Sequence, residues 1–423
     1  MPGSQRILLV LPSWTYRTQA FMRAAGELDA DLIVASDHKQ AMSDLVPDRS
    51  LTLNFRKPAH IAERVRDLHE RQPIDAVVGV DDLSAWVAAV AGQAIGLPVH
   101  QSEAVAVTRN KLRMREAFAA AGLPTPAFRA VPLHRPAPLS KRRIDYPCVV
   151  KPLFLSASRG VTRANDRAGL SAAMREIARL YSETDVRARA LPGETDLALV
   201  EDYIPGIEVA VEGMLLDGEL KALAIFDKPD PLEGPHFVET IYVTPSRLPA
   251  YVQREILHMT HRAAHAIGLR RGPVHAELRV NADGVWPVEV AARSIGGLCS
   301  RVLRFRERPE DPEATLSLES LILRQALGRD IAAIQRERPA AAVMMLPIPR
   351  EGRLLRVAGV EAARAVPGIE DLVITIPEET AVVPMPWGGR YLGFLFARAD
   401  LPEEAEAAIR RAYGELSVVY GDA

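Results

Sequence analysis

Residues 272–297 of the chain read "GPVHAELRVNADGVWPVEVAARSIGG". Apolar residues recur on both sides of "NADG", which is typical of two antiparallel strands joined by a short turn. Glu277 and Glu289 are equidistant from residue 283, so the hairpin places their Cβ atoms about 4.5–5.5 Å apart. Facing carboxylates repel unless a cation lies between them, and carboxylate oxygens suit Mg²⁺. The hairpin predicts a metal site at this pair, and the alternative is two ordinary acids on a solvated strand face.

Further residues around this pair suit catalysis. His275 lies two residues before Glu277 and projects from the same face, while Arg293 follows the second strand. A guanidinium can bind a carboxylate or an oxyanion through two hydrogen bonds. Gly296 and Gly297 permit close approach of a substrate to their backbone amides. We expect Arg293 and the two glycines to act on the reacting group; His275 is predicted to contact substrate or a metal-bound water, with a structural histidine as the equal alternative.

A small-residue loop follows a buried strand in "VVKPLFLSASRGV", residues 149–161. Lys151 ends the strand, and the loop contains Ser156, Ser158 and Gly160. Backbone amides of such a loop, with a lysine at its base, can bind phosphate. The Walker A pattern is absent, so an ordinary hairpin loop is the alternative. Lys111, in the helical "TRNKLRMREAF", is by itself a solvated surface lysine.

Carboxylates lie at both ends of the crossover "LVEDYIPGIEVAVEG", residues 199–213. Glu201 ends a strand, Tyr203 and Ile204 form the crossover, and Glu208 begins the next strand. Such a segment can bind a nucleotide, with backbone 202–204 at the adenine edge and Glu208 at the ribose hydroxyls. The alternative is a hairpin with exposed acids.

A segment rich in Pro and Gly, residues 226–249, contains Lys228, His236 and Glu239. Its composition indicates a loop that covers a site or forms a substrate wall. Glu239 has the charge needed to bind a substrate ammonium group.

The bulk properties exclude several classes of protein. The chain has 423 residues, 52 basic and 54 acidic, with 48% apolar and 25% charged residues. Two to four domains are expected at this length, and the charge balance is unlike that of a nucleic-acid-binding or membrane-surface protein. The apolar run 6–12 is too short for a signal peptide or a membrane span, so we expect a cytoplasmic protein. Cys148 and Cys299 are predicted to be buried free thiols.

Alternating strands and helices over residues 1–100 predict a doubly wound parallel sheet. One continuous helix is predicted over residues 102–122, with Ser102 as its cap, followed by a proline-rich connection over 132–145. Antiparallel strands with the turn "LDGE" are predicted over 196–229. Short strands and a helix at 402–415 are expected in the last 85 or so residues.

In their order along the chain, these segments resemble the ATP-grasp superfamily of carboxylate–amine ligases over roughly residues 1–330. The resemblance implies an α/β (α+β) fold with an N-terminal doubly wound pre-ATP-grasp domain and a small C-terminal β-rich subdomain. It also implies that Lys111, Lys151 and the loop 156–160 bind ATP phosphates. Glu201 and Ile204 would hold adenine, Glu208 the ribose, and Glu277 with Glu289 would bind Mg²⁺ or Mn²⁺. The implied domain limits are 1–100, 101–145, 146–203 (lid), 204–338 (catalytic) and 339–423.

One position departs from the common Glu-x-Asn-x-Arg pattern, because residue 291 is Ala. "VEVAARSIGG" is similar to the L-amino acid ligase branch, the bacilysin-synthetase type of dipeptide ligase, where Glu-x-Ala-x-Arg also occurs. This resemblance implies an ADP-forming enzyme that joins an amino acid carboxylate to an amine through an acyl phosphate. The alternatives are a ligase for a non-amino-acid carboxylate, a biotin carboxylase-like enzyme and a non-catalytic nucleotide-binding subunit. Expected partners are small molecules and, by default, a second copy of the chain.

Overall fold

Strands alternate with helices in the first part of the chain, as predicted. The computed structural model describes residues 4–12, 15–39, 47–133, 145–191, 193–307 and 315–421. Most of the connection predicted over 132–145 lies outside these ranges. The first elements are β1 (Arg6–Leu11), α1 (Thr18–Glu27), β2 (Asp31–Ser36), β3 (Ser50–Thr52), α2 (Pro58–Arg71), β4 (Ala76–Gly79) and α3 (Asp82–Ala94). All strand pairs in this sheet are parallel, in the order β3-β2-β1-β4.

The helix predicted over residues 102–122 is wrong as one element. Two helices occupy it, α4 (Ser102–Thr108) and α5 (Lys111–Ala120). The Asn110 side chain accepts hydrogen bonds from the amides of Leu112 and Arg113, so it caps a new helix. Ser102 is the first helical residue, after Gln101 at the cap position, and α4 has no side-chain cap. The break places Lys111 in a first helical turn.

A small antiparallel sheet comes next, packed against a helix. Its elements are β5 (Phe128–Pro132), β6 (Cys148–Pro152), β7 (Thr162–Ala164), α6 (Arg167–Ser182), α7 (Thr184–Arg189) and β8 (Leu197–Asp202). The strand order is β5-β8-β6-β7. Lys151 and Glu201 therefore lie on adjacent strands, β6 and β8.

The predicted hairpin lies at one edge of a large sheet, which has eight strands in the described part of the chain. The elements of this region are β9 (Ile207–Leu216), β10 (Glu219–Asp227), β11 (Ile241–Thr244), α8 (Ala250–Ile267), β12 (Gly272–Asn281), β13 (Gly284–Ala291), β14 (Arg304–Arg306), β15 (Leu316–Ser317), α9 (Leu318–Ala326) and β16 (Gln335–Arg336). β9 and β10 form the predicted antiparallel pair, whereas β8 belongs to the small sheet.

Three of the last six strands extend the same sheet, and the other three form a sheet of their own. The last elements are β17 (Ala340–Leu346), β18 (Gly352–Ala358), α10 (Val360–Arg364), β19 (Ile369–Ile374), β20 (Thr380–Val382), β21 (Gly393–Ala399), α11 (Pro402–Gly414) and β22 (Ser417–Tyr420). The order of the large sheet is β13-β12-β9-β10-β11-β17-β21-β19, and β11 pairs with β17 across the predicted limit at residue 338. The domain limits remain predictions.

Apolar cores cover both faces of the large sheet near its centre. Tyr242, Met345 and Phe394 belong to one core, and Met344 and Leu395 belong to the other. This division follows from the two-residue repeat of a strand. Among the described helices, none combines the length and apolar character needed to cross a bilayer.

Candidate active site

The two hairpin carboxylates are cross-strand neighbours, as predicted. Glu277 pairs with Glu289, and a bulge follows directly after Glu277. The Glu289 Oε2 atom lies 2.9 Å from the Lys111 Nζ atom. The side chains of Glu277 and Glu289 are 22% and 24% exposed, so both are accessible to a metal ion. Burial opposes ionisation of Glu277, but Lys228 and His275 outweigh it and hold the pKa of this carboxyl well below its usual value.

One cavity of about 280 Å³ brings together most of the predicted site residues. Its lining includes residues of the small antiparallel sheet, of the large sheet and of the segment that joins β4 to α3. Three predicted residues, Gly160, Lys228 and His236, do not line it. The predicted residues that do are Lys111, Lys151, Ser156, Ser158, Glu201, Tyr203, Ile204, Glu208, Glu239, His275, Glu277, Glu289, Arg293, Gly296 and Gly297.

Two lysines lie on one side of this cavity. Lys111 binds the Glu289 carboxylate and also donates to the carbonyl of Leu155, at 2.9 Å. Lys151 is 7% exposed, and its Nζ atom lies 2.6 Å from Glu201. Burial lowers the pKa of Lys151, and the charge of Glu201 opposes this only in part. Both ammonium groups are thus held by carboxylates beside the small-residue loop.

Glu201 holds two cations rather than one. Arg115 donates to both oxygens of the carboxylate, at 2.7 and 3.2 Å, and Lys151 binds the same group. Burial opposes ionisation of Glu201, but Arg115 and Lys151 outweigh it and lower the pKa of Glu201 to about 2. Glu201 therefore fixes the position of Lys151, and its predicted contact with adenine remains a prediction.

The loop after β6 has an unusual backbone. Ala157 and Ser158 have φ angles of 55° and 54°, in the left-handed region that non-glycine residues rarely adopt. Such conformations persist where the surroundings enforce them, and they cluster at ligand-binding sites. Ser156, Ala157 and Ser158 all line the cavity. The predicted phosphate contact is consistent with this placement.

Arg279 holds together the end of the cavity that is predicted to bind the adenine and ribose. Its guanidinium donates to Glu208 at 2.9 Å and to the Ile204 carbonyl at 2.7 Å. The same group lies 5.2 Å from the ring centroid of Tyr203 and 5.4 Å from that of Phe237. This end of the cavity is consequently walled by aromatic rings and carries a carboxylate.

Among the described residues, one group of three carboxylates is spaced to hold a metal ion: Glu208, Glu239 and Glu277. It shares Glu277 with the predicted pair. Lys228 lies within the group, 2.7 Å from Glu208, 3.6 Å from Glu277 and in contact with Glu239. Burial disfavours the charge of Lys228, but these carboxylates outweigh it and raise its pKa well above its usual value. An internal ammonium thus already offsets part of the negative charge of this cluster.

Arg293 is held by Asp82, a residue of the first turn of α3. The Nε atom of Arg293 lies 2.9 Å from Oδ1 of Asp82, and Nη2 lies 3.3 Å from Oδ2. Asp81 caps α3 through Ser84 and so fixes the start of this helix. The guanidinium that was predicted to act on the reacting group is thereby oriented by the start of α3.

Buried polar groups hold the segment that contains the two glycines. Arg17 donates to Ser294 at 2.6 Å and to the Ile295 carbonyl at 3.1 Å, and Ile295 donates to Glu212. Glu212 also binds the Nδ1 atom of His275, at 3.1 Å. Gly297 has a φ of 60°, and a Cβ atom there would lie 2.8 Å from the ring of Phe394. Both the conformation and this contact require glycine.

Family models match two parts of the chain. A model described as "ATP-grasp domain" matches residues 144–302, and one described as "L-amino acid ligase C-terminal domain 2" matches residues 344–421. A D-alanine–D-alanine ligase from Gloeobacter violaceus is 31% identical over 247 residues, which are 54% of this chain and 72% of that protein. The chain belongs to the ATP-grasp family. The predicted resemblance to this family and to its L-amino acid ligase branch is confirmed.

Other relatives agree with the ATP-grasp assignment. An alanine–anticapsin ligase from Bacillus subtilis is 25% identical over 232 residues, or 52% of this chain and 48% of that protein. The chain therefore spans about half the length of such relatives. The solved structure of an L-amino acid ligase from Bacillus licheniformis superimposes with a TM-score of 0.82 at 24% identity, and covers 100% of both chains. The predicted α/β ATP-grasp fold is confirmed.

Sequence reasoning missed several residues of this ATP-grasp site. Arg279 could have been predicted, because it shares one strand face with the predicted site residues His275 and Glu277. Arg115 could have been predicted too, because it lies four residues after Lys111 on the same helix face. Asp82 follows a parallel strand, where ligands of α/β sheets bind. Arg17 and Glu212 had no local signal. His236 lies apart from the cavity, with its ring 5.0 Å from that of Trp387.

Proposed function

We propose that this chain is an ATP-dependent ligase that joins an amino acid carboxylate to an amine and releases ADP and phosphate. A second amino acid is the expected amine. The observation that carries the proposal is the meeting of Lys111, Lys151, Glu277, Glu289 and Arg293 around one cavity of an ATP-grasp fold. The matched L-amino acid ligase C-terminal domain supports amino acids as the substrates.

The chemistry has two steps. In the first, a carboxylate oxygen of the amino acid bonds to the γ-phosphorus of ATP, and the bond from that phosphorus to ADP breaks. In the second, the amine nitrogen bonds to the acyl carbon, phosphate leaves with the electron pair, and the nitrogen gives a proton to the solvent. Phosphoryl transfer needs little covalent help, so positioned charges account for most of the catalysis.

Each side of the cavity has a role in this scheme. Lys111, Lys151 and the amides of residues 156–158 bind the phosphates. Tyr203 and Ile204 border the adenine, and Glu208 the ribose. Arg293 binds the reacting carboxyl group and then the oxyanion, together with the amides near Gly296 and Gly297.

Glu277 and Glu289 fit Mg²⁺, because both are hard oxygen ligands, neighbours across the hairpin and accessible from the cavity. When bound there, the ion supplies positive charge for the phosphate oxygens. Glu239, on the same wall, binds the substrate ammonium group.

Product analysis tests the proposal. The protein is incubated with ATP, Mg²⁺ and pairs of amino acids, and ADP, phosphate and dipeptide are quantified. Equal amounts of all three are expected. Release of AMP and pyrophosphate would instead indicate adenylation and overturn the acyl-phosphate route. ADP release that depends on bicarbonate and biotin, with no dipeptide, would favour a carboxylase.

A further inference from the structure

One end of the cavity is apolar, and separate strands build it. β11 pairs with β17 and β17 pairs with β21, so that Met345 lies opposite Phe394, and Tyr242 lies opposite Val343. Val343 is two residues before Met345 and therefore on the same face. Tyr242, Met345 and Phe394 all line the cavity. The register thus places three large apolar side chains at one end of it.

Aromatic packing fixes this wall. The ring centroid of Phe394 lies 5.6 Å from that of Tyr16 and 6.2 Å from that of Tyr391, and both tyrosines also line the cavity. Phe394 is 0% exposed, and its ring contacts Gly297. A wall that is packed from several directions keeps its shape, so the space beside it can select ligands by size.

Charged groups border the wall. Burial raises the pKa of Tyr242 and of Tyr391, and the charge of Glu239, which lines the same cavity, adds to this effect. Arg293 lines the same cavity. Glu239, Arg293 and the wall thus line one cavity, which offers partners for an ammonium group, a carboxylate and an apolar side chain.

We propose that this end of the cavity selects an amino acid with a bulky apolar side chain, such as leucine or methionine, and that Met345 is a specificity-determining residue. The inference rests on the proposed ligase function and adds the substrate class. Placing a charged side chain against the apolar side chains of this wall removes it from water, which disfavours acidic and basic amino acids. A methylene more or less in an apolar pocket changes selectivity by about 10- to 200-fold.

The chain offers a matched control for Met345. Met344 is the same residue type on the same strand, and both are 4% exposed. Met344 packs into the core on the opposite face of the sheet and does not line the cavity. Met345→Ala and Met344→Ala therefore both leave a space in a core, but only the first enlarges the substrate site.

Two measurements test the inference. The first is kcat/KM for leucine, phenylalanine, alanine, aspartate and lysine as the activated amino acid. The unmodified protein is expected to prefer leucine, Met345→Ala to shift the phenylalanine-to-leucine ratio by about 10-fold or more, and Met344→Ala to keep it. A preference for charged amino acids, or an unchanged ratio in Met345→Ala, would overturn the inference.

The second measurement, calorimetric binding of leucine without turnover, separates this inference from the proposed function. Weaker leucine binding in Met345→Ala, by about 10-fold, with unchanged binding in Met344→Ala would support the subsite even if no dipeptide forms. Failure of leucine to bind the unmodified protein would refute the subsite. A protein that forms dipeptides without Met345-dependent selectivity would retain the proposed function alone.

Discussion

Asp82 and Arg293 are joined by two hydrogen bonds, one to each carboxylate oxygen, across the boundary between α3 and the end of β13. Burial opposes ionisation of Asp82, but Arg293 outweighs it and holds the pKa of Asp82 below its usual value. Burial likewise opposes the charge of Arg293, yet Asp82 raises its pKa. The pair therefore stays ionised and fixes the guanidinium plane relative to Glu277 and Glu289.

Asp82→Asn is expected to lower kcat on the order of 10²-fold, because a misplacement of about 1 Å in a positioning group costs this much. The KM for ATP should change less than kcat, since the Asp82 carboxylate is hydrogen-bonded to Arg293, which is assigned to the reacting carboxyl group. Steady-state ADP release measures both. Asp371→Asn, which removes the half-exposed partner of Arg301, is the control and should leave kcat unaltered. Unaltered kcat in Asp82→Asn would show that Arg293 is positioned by other groups.

Glu289→Gln is expected to keep the fold and to abolish ADP release. The neutral amide keeps the size of the side chain but removes the charge that would bind Mg²⁺. Circular dichroism monitors the fold, and a coupled assay monitors ADP. Glu255→Gln, at an exposed position of α8, should retain full activity. Full activity in Glu289→Gln would refute the metal assignment.

Lys228→Met is expected to destabilise the protein by about 3–5 kcal/mol, because it leaves part-buried carboxylates without their cation. The Lys228 side chain is 2% exposed and contacts Glu208, Glu239 and Glu277. Urea denaturation measures the loss. Mg²⁺ should raise the Tm of this variant more than that of the unmodified protein, since the metal can replace the ammonium charge.

The control for this experiment is Lys221→Met. Lys221 lies on β10, and its ammonium group donates to the Ala332 carbonyl. A small loss of stability with no added dependence on Mg²⁺ is expected. Lys228→Met as stable as Lys221→Met would contradict the neutralising role of Lys228.

His275 predicts a pH dependence of stability. Burial opposes its charge, but Glu212 and Glu277 outweigh burial and, despite the opposing charge of Arg293, raise the pKa of His275 to about 9. The folded protein therefore binds a proton that the unfolded chain, with a pKa of about 6.5, releases. This stabilisation is fully present below pH 6.5 and is lost as the pH rises through 9, with a total of about 3 kcal/mol.

Urea denaturation of the metal-free protein between pH 6 and 10 measures this dependence. His275→Gln should flatten the profile in the window from 6.5 to 9. His258→Gln, at an exposed position of α8, should preserve the profile. A flat profile in the unmodified protein would refute a protonated His275.

Local sequence patterns were sufficient to predict those interactions that residues near each other in the sequence determine. The turn "NADG" and the two-residue repeat of its flanking strands place Glu277 opposite Glu289, as found. The helix predicted over 102–122 failed because apolar periodicity continues through the break. Two interactions decide that break: the Asn110 cap and the hydrogen bond from the Lys111 amide to the Leu153 carbonyl, at 2.8 Å. The second is a tertiary contact, which no local pattern contains.

Short-range periodicity and local motifs were sufficient to predict the hairpin register and the types of residue available for catalysis, and the resemblance to a known family implied the ATP-grasp fold. The ion pairs depend on the tertiary structure. Arg293 pairs with Asp82, Glu201 pairs with Arg115 and Lys151, and Lys228 lies within a cluster of carboxylates. Buried charges pair according to the distance between them and to how far they are excluded from water. That distance and that exclusion depend on how sheets from remote parts of the chain pack together.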